Sequence, residues 1–173
     1  MKPKTQKFKR FPLQAPGFSL LETTVAVAIL VAAVIGPLTL ASSSIRSSSQ
    51  AKNNLVAAGL AQEGVELMRN FRAKNVFNDI DWTTGMDSCF SAAGCQIDAA
   101  SLEIAPCGTF CSYLNFDQNS GLYSYGAGAA AIFMRTINIE TISADEIKIK
   151  VLVAWQERFG PQKFTLEEYL LDW

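Results

Sequence analysis

Histidine is absent from all 173 residues. Its absence removes the commonest general base and the commonest metal ligand, which counts against an enzyme. Asp79 and Asp81 stand close together, but no histidine or recognisable nucleophile motif joins them into a catalytic constellation. Acidic residues are absent before Glu22, whereas Lys2, Lys4, Lys7, Lys9 and Arg10 all precede it. Charge of either sign is then absent from Thr23 to Ala41. The net charge of −1 is therefore a cancellation. Five of the fifteen basic residues precede Phe18, which leaves ten against sixteen acidic residues, or −6, for the remainder. A mildly acidic body gives no electrostatic reason to expect nucleic acid as a partner.

What is present begins with a basic stretch, Met1 to Pro16, that carries Pro3, Pro12 and Pro16 and shows no apolar period. It reads as a disordered, cytoplasm-facing leader. Phe18 to Ala41 can form an apolar helix about 36 Å long at 1.5 Å per residue, enough to cross a bilayer core. Basic residues before this span and few after it place the amino end inside and the body outside. Three readings compete. A secretory signal could be cut near Thr39-Leu40-Ala41, although its apolar region would be longer than usual. A plain anchor fits the hydropathy and leaves Glu22 unexplained. The third reading is a cut at Gly17 that keeps the apolar helix in the mature chain.

The hexapeptide Gly17-Phe18-Ser19-Leu20-Leu21-Glu22, after a basic leader and before an apolar run, resembles the processing site of type IV prepilins and pseudopilins. Glycine before the cut, phenylalanine after it and a glutamate five residues into the mature chain all coincide. The resemblance implies a cut between Gly17 and Phe18 by a membrane prepilin peptidase and methylation of the new Phe18 amine. It further implies residence in the cytoplasmic (inner) membrane as a single-pass protein. From there the chain would be extracted into a filament with other pilin or pseudopilin subunits on an inner-membrane assembly platform. A carboxylate in hydrocarbon is costly unless paired or facing protein. The Phe18 amine is a partner of opposite sign, about a turn away in the same helix. The family pattern implies a neighbour's amine instead, which would couple assembly to axial register. Snorkelling of Glu22 to the cytoplasmic interface is the plainer alternative.

Gly36-Pro37 interrupts the apolar run, and a kink or local melting is expected there because proline gives no amide hydrogen and clashes with the Ala33 carbonyl. Tolerance of proline in a membrane helix is the competing view. Residues 42–50 are serine-rich but contain no glycine or proline, and Lys52 to Ala73 has helical spacing at Val56, Leu60, Leu67 and Phe71. Leu60 to Arg72 resembles the outer helix of minor pilins, in particular the PilV-like branch. One long kinked helix from about Phe18 to about Lys74 is expected, its half up to Ala41 membrane-spanning and its half over 42–74 packed on a sheet.

Residues 75–128 read as a loop-rich insertion punctuated by Asn78, Gly85, Gly94, Pro106, Gly108 and Gly121. It holds all four cysteines. Local disulfides, Cys89 with Cys95 and Cys107 with Cys111, are the expected use in an extracytoplasmic body, and a four-thiolate structural zinc site is the alternative. Asp117-Gln118-Asn119-Ser120-Gly121 is a fragment of a calcium-loop pattern without its closing glutamate, and a polar turn explains it better. No cofactor is otherwise called for.

Over 129–173 the period changes to two. Ile147, Ile149, Val151, Val153 and Trp155 alternate with Lys148, Lys150, Leu152, Ala154 and Gln156, with a strand before them at Ile132 to Ile142 and one after near Lys163 to Leu171. The expected architecture is α+β, a long kinked amino-terminal helix packed on an antiparallel sheet of about three strands. The expected function is a non-enzymatic minor pilin or pseudopilin subunit of a type IV pilus-like or type II secretion filament. An anchored extracytoplasmic binding module with no filament role is the alternative.

Overall fold

The computed structural model describes residues 17, 19–158 and 160–172. One helix, α1 (Leu20–Phe77), is followed by a short 3-10 turn (Asp87–Phe90) and seven strands. Two compact units meet between Ser47 and Ser48, the first holding the early part of α1 and the second holding the rest of α1 with all the strands.

In the first unit the described residues of α1 are exposed throughout, including Leu21, Ile29, Val34 and Leu38. The helix is long and apolar enough to be a candidate membrane span. It continues without a break through Gly36-Pro37, so the expected local melting does not occur. One reason is local. Pro37 deprives a single carbonyl, that of Ala33, of its donor, and the helix runs on through the turns on either side.

In the second unit α1 becomes one-sided. Ala57, Leu60, Ala61, Gly64, Val65 and Met68 are buried at spacings of three and four, the stripe that a core-facing helix needs. The helix stops three residues beyond Lys74. Asp79 adopts a left-handed φ of 53°, the Asp79 N–H reaches the Val76 carbonyl at 3.1 Å, and the Ile80 N–H reaches back to Asn75 at 3.0 Å. That is a Schellman ending with aspartate where glycine is commoner. Buried Asn75 reinforces it by donating to the carbonyls of Trp82 and Thr84.

The strands are β1 (Cys95–Ile97), β2 (Ile104–Pro106), β3 (Tyr113–Asp117), β4 (Leu122–Ser124), β5 (Ala129–Ser143), β6 (Glu146–Glu157) and β7 (Gly160–Leu171). All pairings are antiparallel, and the sheet has seven strands rather than the three expected. The expected meander is β5–β6–β7, with Ile137 opposite Val151 and Val151 opposite Leu166. The four additional strands are short and lie within 75–128. They use the second edge of β5, where Cys95 pairs with Ile137 and Tyr113 with Met134.

The core lies between the buried stripe of α1 and one face of this sheet. Ile147, Ile149, Val151, Val153 and Trp155 are all buried, as the alternation predicts. Gly64 sets the closeness of helix and sheet, since a Cβ there would meet Val151 Cγ1 at 3.0 Å and Arg135 Cδ at 3.1 Å. A row of aromatic contacts, Phe116–Tyr123–Phe133–Trp155, ties the β3–β4 hairpin into this core at centroid separations of 4.9, 6.1 and 5.8 Å. Trp155 is a core residue whose Nε1 donates to Glu157 at 2.9 Å.

Candidate functional site

The amino-terminal motif is built on a helix start. Ser19 Oγ accepts the Glu22 N–H at 3.2 Å, and the Ser19 carbonyl accepts the Thr23 N–H. Ser19 is thus the N-cap of α1 and Glu22 its third residue, the S-x-x-E spacing of a capping box. Sequence reading singled out Glu22 for its charge and missed the Ser19 cap onto its main-chain N–H. A carboxylate in the first turn is also favoured by the positive end of the helix dipole. Gly17 is exposed, with no atom near where a Cβ would project. Phe18 and the basic residues before Gly17 lie outside the described residues.

The hydroxyls of this segment are turned inward on the helix. Thr23, Thr24 and Thr39 donate to the carbonyls of Leu20, Leu21 and Gly36, each three residues back. Such self-satisfaction is what a helix needs where no water can accept these protons.

Cys89 is bonded to Cys95, and Cys107 to Cys111. Every sulfur is therefore committed to a disulfide, which leaves no thiolate for the zinc alternative. The first bridge joins the 3-10 turn to β1, and the second closes a five-residue loop between β2 and β3. Among the described residues no group of three or more potential ligand side chains converges on a metal position. Asp117 uses both carboxylate oxygens on its own hairpin, accepting from the Asn119 N–H and the Ser120 hydroxyl. Asp81 similarly accepts from the N–H and hydroxyl of Thr83.

A polar centre lies in the second unit at a residue the sequence reading did not single out. Arg135 on β5 is fully buried. Its guanidinium donates to the Leu60 carbonyl on α1 at 3.2 Å, to Glu63 at 2.7 Å and to the Ile97 carbonyl on β1 at 2.9 Å. The Tyr125 hydroxyl donates in turn to the Arg135 carbonyl. Burial pushes the Tyr125 phenol above its ordinary value, opposed by the nearby Arg135 charge.

Beside this centre a cleft of about 380 Å³ is lined by residues that include Gln96, Asp98, Glu103 and Tyr125. Asp98 accepts the N–H groups of Ala100, Ser101 and Tyr125 at 2.8, 3.0 and 2.7 Å. Burial pushes this carboxyl up, but the three main-chain donors outweigh it and hold it below the ordinary aspartate range. A carboxyl lowered by folding contributes stability that is present above its unfolded value, near 4, and is lost as pH falls through the folded value. Asp98→Asn should therefore lower the melting temperature of the head at pH 7, because the amide NH2 cannot accept. The gap to wild type should narrow as both are acidified toward pH 3 in thermal unfolding monitored by tryptophan fluorescence. A gap that stays constant with pH would refute the assignment.

Comparison of the chain with protein-family models, with curated proteins and with solved structures finds no match. The functional reading rests on the residues and their geometry.

Proposed function

We propose that this chain is a non-enzymatic minor pilin or pseudopilin, cut after Gly17 by a prepilin peptidase and assembled through α1 into a type IV pilus-like or type II secretion filament. The observation that carries this reading is the contrast along α1. Its early part is wholly exposed and carries no charge from Thr23 to Ala41, directly after the processing-like motif, while Ala57 to Met68 is a buried stripe on a small α+β head. An exposed apolar helix of that length needs lipid or other helices around it, and a filament exchanges the first for the second. Basic residues before the span support an amino end inside the cell, and two disulfides support a head on the oxidising side. The partners are the peptidase, other pilin-like subunits, the inner-membrane assembly platform, and lipid before assembly.

Mass spectrometry of the protein from its native membrane tests the processing step. The expected mature amino terminus is Phe18 carrying one methyl group, and an intact leader on membrane-resident protein would overturn the reading. The cleft beside Asp98 favours a second reading, an anchored extracytoplasmic binding module, and an intact leader is what that reading expects.

Substitution at Glu22 separates charge from polarity. Glu22→Gln keeps a polar side chain at the third helical position but removes the charge, whereas Glu22→Val removes both, and each keeps the main-chain N–H that Ser19 caps. Both variants should insert in the membrane, and both should be absent from filaments or unmethylated. Normal incorporation of Glu22→Gln would show that the charge has no assembly role.

A further inference from the structure

The two disulfides differ in access. Cys89 and Cys95 are fully buried, while Cys107 and Cys111 retain 8% and 6% exposure. The three residues between Cys107 and Cys111 are all exposed, and Phe110 projects with 76% of its surface in solvent. Their surroundings also differ. Cys111 Sγ lies 3.1 Å from Thr136 Oγ1 on β5. A disulfide sulfur carries no hydrogen, so the threonine hydroxyl is the donor and the sulfur the acceptor. The Cys95 carbonyl oxygen lies farther from the same sulfur, at 3.8 Å, where neither atom has a proton to give.

We infer that Cys107–Cys111 is a thiol–disulfide exchange site for a low-molecular-weight thiol, with Cys107 the attacked sulfur and Cys111 the leaving thiolate. The thiolate of the incoming molecule attacks Cys107 Sγ, and the bond to Cys111 Sγ breaks. A mixed disulfide forms on Cys107, and the electron pair departs on Cys111. A second thiolate then attacks the small-molecule sulfur of the mixed disulfide, and the bond to Cys107 Sγ breaks with its electron pair on Cys107. The two cysteine thiolates take up through solvent the two protons the small thiols gave, so that two electrons pass to the cysteine pair and the small molecule leaves as its own disulfide. The leaving sulfur decides the direction of attack, because exchange is faster when the departing thiolate is stabilised. Thr136 supplies that stabilisation at Cys111, since a hydroxyl donates more strongly to an anion than to a neutral sulfur. The bridge closes only five residues, and opening it releases little chain entropy. The buried Cys89–Cys95 bridge is the structural one.

The experiment incubates the full-length protein in detergent with reduced glutathione, quenches with iodoacetamide and maps the peptides. The expected product carries glutathione on Cys107 and the alkyl group on Cys111, with Cys89–Cys95 intact and tryptophan fluorescence unchanged. Thr136→Val should slow its formation on the order of tenfold, the scale of one hydrogen bond to a charged group, and Thr136→Ser should restore the rate. Glutathione on Cys111, or opening of Cys89–Cys95 first, would overturn the assignment without any variant being made. An unchanged rate in a folded Thr136→Val protein would overturn the role of the threonine.

Discussion

Arg135→Ala should destabilise the head by about 3–5 kcal/mol, on the order of 10–15 °C in melting temperature for a unit of this size. The guanidinium joins α1, β1 and β5, and removing it leaves the Leu60 and Ile97 carbonyls without that donor and a void at a fully buried position. Glu63 contributes less to the loss, because its side chain keeps 31% exposure and water can reach it. The reverse truncation is a different experiment. Glu63→Leu leaves the buried guanidinium without its counter-charge, and the cost of an uncompensated buried charge is of the same order. Arg135→Met with Glu63→Leu should recover part of either loss, since apolar groups of similar volume often match a buried ion pair. Trp155 and Trp82 are both nearly buried, so a red shift of their fluorescence on heating full-length protein in detergent reports unfolding of the head. A melting temperature for Arg135→Ala within about 2 °C of wild type would show that the centre is not holding these elements together.

Arg135 shows what sequence reading could and could not reach. The β5–β6–β7 meander is legible because its strands are long and one face is buried, so Ile147 to Trp155 alternate over five cycles. Arg135 stands in phase with Phe133, Ile137 and Ile139, on the side of β5 that enters the core. A cation on the buried phase of a strand is the available signal, and the apolar residues around it mask it. The four short strands had no such signal. Three of them have three residues and the other has five, too few to display a period clearly, and Gly94, Pro106 and Gly108 mark the same stretch as loop. Those strands exist because β5 has a second edge to satisfy, which is a tertiary fact. The end of α1 lies three residues beyond the expected Lys74 for a related reason. Its left-handed cap is Asp79, and an aspartate there looks like any turn residue until Ile80 is seen folding back on Asn75.

Gly17→Ala should block maturation while leaving the folded protein untouched, and that combination makes it the sharpest test of the proposed function. Ordinarily a glycine substitution confounds recognition with strain. Gly17 carries no such ambiguity, since a Cβ there meets nothing within 4 Å and the helix starts only at Leu20. Ser19 would still cap the helix, and the Glu22 N–H would still have its acceptor. Whatever the methyl group changes must therefore lie in how another molecule reads the position before the cut. The expected result is accumulation of the full-length chain in the membrane fraction, no peptide beginning at Phe18, and no subunit in sheared filaments. The melting temperature of the head should equal that of wild type. Cleavage at the wild-type rate would remove Gly17 from the argument and leave a membrane anchor whose first turn is merely well capped. Loss of cleavage together with a lowered melting temperature would point instead to a structural role for Gly17.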